Sequence, residues 1–144
     1  MKRIVLAGFV ACTLCYGTGC NQKQEPVEQA QETNEQAYEG TPQEDTQDDL
    51  SEFMTEAASG GMMEVELGNL AQQKGQSKEV KDFGRMMVTD HTKANEELKA
   101  LAAQKNITLP TAMGEDHQEH VREVSKKTGA DFDKAYMKLM VEDH

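Results

Sequence analysis

The segment from Leu50 to His144 contains a single proline, Pro110, and it shows none of the alternating apolar and polar residues that mark strands. Alanine, leucine, methionine, glutamate, glutamine and lysine dominate it, and these residues favour helices. The whole chain has 144 residues, which leaves room for one modest domain. We therefore predict an all-α fold for residues 50–144.

Stop and cap residues divide this segment into three helical stretches. The first begins near residue 49 and ends where Gly75 supplies a stop. Ser77 can cap the second, which runs to about residue 105. The third begins near residue 111 and pauses at Thr128, where Asp131 can complete a weak capping box and restart the helix.

The first nineteen residues have the features of a secretion signal. Lys2 and Arg3 precede an apolar run over residues 4–16, which is too short to span a bilayer. Small residues at 17–19 then precede Cys20, which resembles the lipobox of bacterial lipoproteins. We predict a lipoprotein signal peptide at residues 1–19 and a lipid anchor on Cys20, and therefore a membrane partner. Asn21 favours an outer-membrane destination in the cell envelope, facing the periplasm. The alternative is an ordinary cleaved signal with an incidental cysteine.

Glutamine, glutamate, asparagine and threonine dominate residues 20–49, where apolar residues are scarce. Such a stretch cannot bury enough surface to fold, so we predict a disordered acidic tether. The three cysteines are Cys12, Cys15 and Cys20, so the helical domain has no disulfide and no cysteine ligand or nucleophile. A net charge of −11 argues against nucleic acid as a partner.

One phrase of nine residues occurs twice, as FGRMMVTDH over residues 83–91 and as YMKLMVEDH over residues 136–144. At about 100° per residue, His91 lies in the middle of the apolar stripe of its helix, and Asp133 and His144 share one face of the last helix. The same helical periodicity predicts that Glu64 faces inward from the first helix. Because buried polar groups need partners, the sequence predicts a cluster of these four residues that satisfy one another, a water or a metal ion.

Three segments carry a family resemblance: FMTEAASGGMMEVELGNLAQQKG, EVKDFGRMMVTDHTKANEELKALAAQKNITLP and GADFDKAYMKLMVEDH. They resemble the bacterial envelope proteins grouped as domain of unknown function 4142, often labelled predicted outer membrane protein. The resemblance covers about residues 51–144 and implies a ferritin-like antiparallel four-helix bundle whose function is not established. Members continue past the second Asp-His into a fourth helix, so the resemblance implies that residues 50–144 are a partial bundle with this helix missing.

Two metal interpretations of the cluster follow from its ligand types. Ferritin-like di-iron proteins use Glu-x-x-His motifs, but Val88 and Val141 stand three residues before the two histidines. This substitution argues against a di-iron oxidase. Imidazole and carboxylate groups also suit a single Zn, Fe or Mn ion, which could be held by Glu64, His91, Asp133 and His144.

Two further interpretations remain open. Met87 lies four residues before His91, and Met140 lies four residues before His144, so each pair could offer soft ligands to copper. Methionines on an apolar stripe more often fill a core. The last interpretation is a structural hydrogen-bond network that fixes which helix faces meet.

The remaining patterns carry weaker predictions. No Ser-His-Asp order or glycine-rich phosphate motif is present, so an enzymatic interpretation depends on a metal alone. We predict a non-enzymatic binding or structural module, with a metal-binding storage or oxidoreductase-like protein as the alternative. His117 and His120 are expected to form an exposed surface pair. An uncovered apolar stripe favours self-association, and it consists of Val80, Phe83, Met87, Ala94 and Leu98.

Overall fold

A computed structural model describes residues 25–144 and shows five α-helices in them. In chain order they are α1 (Pro26–Tyr38), α2 (Glu44–Lys74), α3 (Lys78–Lys105), α4 (Glu115–Ser125) and α5 (Gly129–Asp143). Over the described residues there is no strand, which confirms the all-α prediction. Within the same residues, no helix has the length and apolar character that crossing a membrane requires.

The helices α2 and α3 form a long hairpin, and its turn contains the predicted stop residue Gly75 and the predicted cap residue Ser77. Gly75 follows the last residue of α2, and Ser77 caps α3 by accepting a hydrogen bond from the backbone N–H of Val80 at 3.1 Å. Asn106 ends α3 in the left-handed conformation with φ 57°. Thr128 does precede α5, but its side chain makes no capping hydrogen bond, so the predicted capping box is not formed.

The helices α2 and α3 cross at two glycines. A Cβ atom added to Gly68 would lie 2.8 Å from the carbonyl oxygen of Gly84, and one added to Gly84 would lie 2.7 Å from the Cβ of Ala71. Real Cβ atoms do not approach other atoms this closely. The two backbones therefore meet at this point, which brings the side chains of the next turns into reach of each other.

One apolar core joins α2, α3, α4 and α5. Ten buried residues form it: Met63, Leu67, Ala71, Val80, Met87, Val121, Val124, Phe132, Tyr136 and Met140. Val80 and Met87, which were expected in an uncovered stripe, are therefore covered within the chain. Phe53 lies within about 20° of Glu64 around α2 and is expected to face inward with it, but its side chain is 68% exposed. At that end of α2 the buried face passes through Met54 and Ala58 instead, which are about 100° away from Phe53 and Ala57 around the helix.

The structure corrects the predicted tether at residues 26–38, which form α1 and pack on α2. The helix buries only Val27, Ala30 and Asn34, so hydrophobic area alone does not hold it. The Asn34 carboxamide donates to the carbonyl of Thr108 at 3.0 Å and accepts its N–H at 2.7 Å. Polar contacts thus help to attach this polar helix to the domain. The next helix, α2, also begins inside the predicted tether, at Glu44. Residues 20–24 and the signal peptide predicted at 1–19 lie outside the described residues.

Candidate metal centre

Three side chains from three elements converge beyond the helix crossing. Glu64 belongs to α2, His91 to α3, and His144 directly follows α5. The Nδ1 atom of His91 contacts Oε2 of Glu64, and Nε2 of His144 lies 3.3 Å from Oε1 of the same carboxyl group. One potential ligand atom from each residue lies within 4.8 Å of those of the other two. Glu64 therefore uses one oxygen for each histidine.

The repeated phrase explains how two histidines reach one carboxyl group. Phe83 and Tyr136 begin the two copies, and their ring centroids are 6.0 Å apart. His91 and His144 end the copies, and their ring centroids are 5.5 Å apart at an interplanar angle of 88°. The two copies thus lie side by side in register and in the same direction. The repetition places equivalent residues at equivalent heights along α2.

A backbone contact determines which nitrogen of His144 faces Glu64. The Nδ1 atom of His144 lies 2.9 Å from the carbonyl oxygen of Met140, and a carbonyl can only accept a hydrogen bond. Nδ1 therefore carries the proton, and in the neutral ring the Nε2 lone pair points at Glu64. Metal-binding histidines commonly have this arrangement, in which a backbone carbonyl fixes the tautomer.

The protonation states of the group are set mainly by burial. The Glu64 side chain is only 9% exposed. Burial, followed by the charge of Asp143, raises the pKa of Glu64 to about 7, while His144 acts in the opposite direction. Burial, followed by the charge of His144, lowers the pKa of His91. Near neutral pH, His91 is therefore uncharged and the Glu64 carboxyl still binds a proton part of the time.

These states allow a complete hydrogen-bond chain without a metal ion. His91 can donate from Nδ1 to Oε2 of Glu64, and a protonated Oε1 can donate to Nε2 of His144. His144 then donates from Nδ1 to Met140. In this hydrogen-bond chain the proton of Glu64 lies between Oε1 of Glu64 and Nε2 of His144, and a bound cation would replace it there.

The group opens onto a cleft of about 520 Å³ between α2 and α3. Apolar side chains, including Phe53 and Leu98, form much of its wall. Its charged lining consists of Glu56, Glu64 and Asp143, and among the described residues that line it there is no lysine or arginine. The cleft is therefore suited to a cation and unfavourable for a free anion.

The structure does not bring Asp133 to this group. Its carboxylate accepts the backbone N–H groups of Gln76 and Ser77, each at 2.8 Å, and so it caps the start of α3 at the opposite end of the repeated phrase. Helical periodicity predicts the helix face of Asp133 but not its height along the helix. Asp143, a neighbour of His144 in the chain, instead lies close enough to Glu64 for its charge to help raise the pKa of that carboxyl group.

The other residues considered as ligands lie in different surroundings. Met87 and Met140 are 4% and 2% exposed and belong to the apolar core, where thioethers serve as packing groups. Cys20, the predicted lipidation site, lies outside the described residues.

The exposed pair expected at His117 and His120 is found only in part. His120 is exposed, but His117 is partly buried, and its Nδ1 lies 2.7 Å from the hydroxyl of Ser59. Ser59 is fully buried and accepts the backbone N–H of Gly114 at 2.8 Å. The hydroxyl hydrogen is thus left to point at His117. Sequence reasoning missed this contact because a serine among the small residues of α2 gives no signal beyond close packing.

Comparison with known proteins finds one family. Residues 29–144 match the family described as Domain of unknown function (DUF4142). The match begins inside α1, upstream of residue 50, in agreement with the packing of α1 on the domain. No curated protein and no solved structure matches the chain.

Proposed function

The chain belongs to the DUF4142 family, and we propose that it is a non-enzymatic metal-binding module of the bacterial cell envelope. In this proposal Glu64, His91 and His144 hold a single divalent transition-metal ion within a ferritin-like bundle. The observation that carries it is the fixed tautomer of His144, whose Nε2 lone pair faces the carboxyl group that His91 also contacts.

The spacing of the donors supports this proposal. Zinc binds imidazole nitrogen and carboxylate oxygen at about 2.0 to 2.2 Å, so tetrahedral coordination separates neighbouring donor atoms by about 3.3 Å. Oε1 of Glu64 and Nε2 of His144 are 3.3 Å apart. All three donors lie within 4.8 Å of one another, a spread that small side-chain rotations can close. The histidine and carboxylate donors suit Zn, Fe or Mn.

The proposed site provides three protein ligands and leaves one position toward the cleft. Two imidazoles and one carboxylate form the donor set of both catalytic zinc sites and mononuclear iron sites. Asp143 or a solvent molecule could complete the coordination from the cleft side. When bound, such an ion supplies positive charge to a cleft whose own charged groups are acidic.

A di-iron centre and a copper centre are less well supported. Val88 packs its Cγ2 near Gly68, and Val141 is 75% exposed, so neither position offers the bridging carboxylate of a di-iron site. The methionines that could bind copper lie in the apolar core. A mononuclear centre is therefore the metal site that the contacts favour.

A structural network is the competing role. The chain of hydrogen bonds from His91 through Glu64 and His144 to Met140 satisfies the buried carboxyl group without any ion. In that case the cluster would fix α2, α3 and α5 relative to one another and bind nothing. The two roles differ in a measurable quantity, the metal content of the purified protein.

Elemental analysis of protein purified without chelator tests the metal proposal. We expect about one transition-metal ion per chain, and its loss in His91→Ala and in Glu64→Gln. His120→Ala is the matched control, because it removes an exposed histidine outside the cluster and should leave the metal content unchanged. Absence of metal in the wild type, or its retention in both site variants, would overturn the proposal.

The envelope location has its own support and its own test. It depends on the basic and apolar start of the chain and on Cys20 after three small residues. We propose that a lipid on Cys20 anchors the protein to the outer membrane. Cys20→Ser should move the protein from the membrane fraction to the soluble fraction. Failure of the wild type to incorporate labelled fatty acid would refute the anchor without affecting the metal proposal.

A further inference from the structure

A second groove adjoins the cleft of the Glu64, His91 and His144 cluster and has mostly apolar walls. Its volume is about 560 Å³, and it lies between α2, the carboxyl half of α3 and the loop that follows α3. Ala58 and Met62 contribute one wall, Leu98 and Ala102 the second, and Ile107 and Leu109 the third. Binding sites for small organic molecules have about 300 to 1,000 Å³ and mostly apolar walls with a few polar groups. The groove therefore has the size and the lining of a small-molecule site.

The floor of this groove belongs to a fixed part of the fold. Ala102 and Ile107 are 2% and 6% exposed and pack with Met54 in a buried cluster. Leu98 and Leu109 pack against the same cluster. The loop itself is held by the two hydrogen bonds between Asn34 and Thr108. A ligand in the groove would thus meet a preformed apolar surface.

The polar edge of the groove carries a single charge. Lys99 is the one charged residue among the described residues that line it, and it makes no ion pair within the part of the chain that the structure describes. Glu96, one turn earlier, lines a neighbouring groove together with Lys99, but the two side chains form no ion pair. On a chain with a net charge of −11, an unpaired lysine beside an apolar groove favours an anionic group at that edge.

Asn95 adds a second donor at the same edge. It precedes Lys99 by four residues on α3, so the two side chains lie next to each other on one helix face. Its carboxamide lies against Gly61 of α2, and it has no hydrogen-bond partner among the described residues. The carboxamide and the ammonium group together can donate to two oxygens of a carboxylate.

We propose that this groove binds a single amphipathic carboxylate, with the alkyl chain along Met62, Leu98 and Ile107 and the carboxylate at Lys99 and Asn95. The groove shares Asn95 and Leu98 with the acidic cleft beside Glu64, whereas Lys99 and Ile107 line the groove and not that cleft. Chain length and head charge are therefore the two properties that should determine affinity.

Calorimetric titration of the full chain with hexanoate, octanoate and decanoate, below their aggregation concentrations, tests the chain-length requirement. Affinity should rise by about fourfold for each methylene that becomes fully buried, the equivalent of about 0.8 kcal/mol. Affinity that does not change with chain length would overturn the proposal. Ala103→Trp fills the groove from its exposed edge and should abolish binding, whereas Ala100→Trp, an exposed position outside the groove, should preserve it.

The head-group requirement has a separate readout. Lys99→Glu should weaken decanoate binding by tenfold or more and leave decanol binding unchanged. Lys93→Glu makes the same charge change on α3 away from the groove and should alter neither. Equal weakening by both lysine variants, or tighter binding of decyltrimethylammonium than of decanoate, would contradict the site. The site would also be contradicted if light scattering showed a dimer that Ala103→Trp converts to a monomer, because a second copy of the chain would then cover the groove.

Discussion

Gly68 and Gly84 touch across the crossing of α2 and α3, where a Cβ on the first residue would lie 2.8 Å from the carbonyl oxygen of the second. The cluster of Glu64, His91 and His144 begins one helical turn from Gly68, at Glu64, and two turns from Gly84, at His91. The close approach of the two backbones therefore determines whether the carboxyl group and the imidazole can meet.

Substitution of either crossing glycine should destabilise the fold. In Gly84→Ala the new methyl group would meet Ala71 and the backbone of Gly68, and overpacking of this kind costs about 1 to 3 kcal/mol. Gly60→Ala is the control, because its methyl group would find only His117 at 3.7 Å and alanine favours helix by about 1 kcal/mol. Urea unfolding should show the two substitutions changing stability in opposite directions. Equal effects would show that the crossing is looser than these distances indicate.

Glu64→Gln should stabilise the metal-free protein above pH 7. The folded-state pKa of Glu64 is raised from 4.5 to about 7, so between these values the folded state binds more protons than the unfolded state. The contribution of Glu64 to stability is thus complete below pH 4.5 and is lost as the pH rises toward 7. Glutamine avoids this loss, and its amide can still accept from His91 and donate to His144.

Urea unfolding at pH 4.5 and pH 8 with a chelator present measures this difference. The lowered pKa of His91 acts in the other direction, because its contribution is lost as the pH falls below 6.5, but it is present in both proteins. Glu66→Gln, at an exposed position on the same helix, should change neither value. A Glu64→Gln protein that is less stable than the wild type at pH 8 would show that the carboxylate is well solvated.

Metal affinity should increase with pH and then level off. A metal ion must replace the proton on Glu64, whose pKa is about 7, so affinity should rise by about tenfold per pH unit below 7 and change little above it. The lowered pKa of His91 means that this ring is already neutral near pH 7. Zinc titration between pH 5.5 and 8, in buffers of different ionisation enthalpy, should detect about one proton released. His120→Ala should keep the same slope, and a flat profile would contradict replacement of that proton.

Asn34→Ala should detach α1. It removes both hydrogen bonds to Thr108, and loss of such contacts costs about 1 to 3 kcal/mol. Limited proteolysis should then cut between α1 and α2, at residues 39–43, and release the first helix. Gln36→Ala changes an exposed residue of the same helix and should leave the connection resistant. Resistance in both variants would mean that the remaining contacts of α1 suffice, which include the burial of Val27 and Ala30 and the hydrogen bond from the Tyr38 hydroxyl to the carbonyl of Lys105 at 2.7 Å.

Helical periodicity was enough to predict three of the four residues expected in the cluster. The angle around a helix follows from sequence spacing, and so Glu64, His91 and His144 could be assigned to inward faces. Asp133 has the right angle but precedes His144 by eleven residues, a rise of about 16 Å along the helix. Periodicity contains no information about height, which depends on how α5 is placed against α3.

The first helix shows a different limit of sequence reasoning. Its buried face consists of one valine, one alanine and one asparagine, so its composition resembles that of a disordered segment. Its attachment depends on the backbone of Thr108, seventy-four residues away, and this contact leaves no pattern in the sequence. Periodicity also gives the wrong direction for Phe53. Different helices cover different faces of α2 along its length, so the buried face of α2 changes direction between its two ends.

The position of α1 limits how far the domain can reach from a membrane. With a lipid on Cys20, as proposed, only residues 21–25 separate the anchor from Pro26, and six extended Cα–Cα steps span at most about 20 Å. A tether that continued to residue 49 would have allowed about five times that distance. The cluster of Glu64, His91 and His144 and the apolar groove would then lie close to the bilayer surface, and any molecule that reaches them would have to approach the membrane.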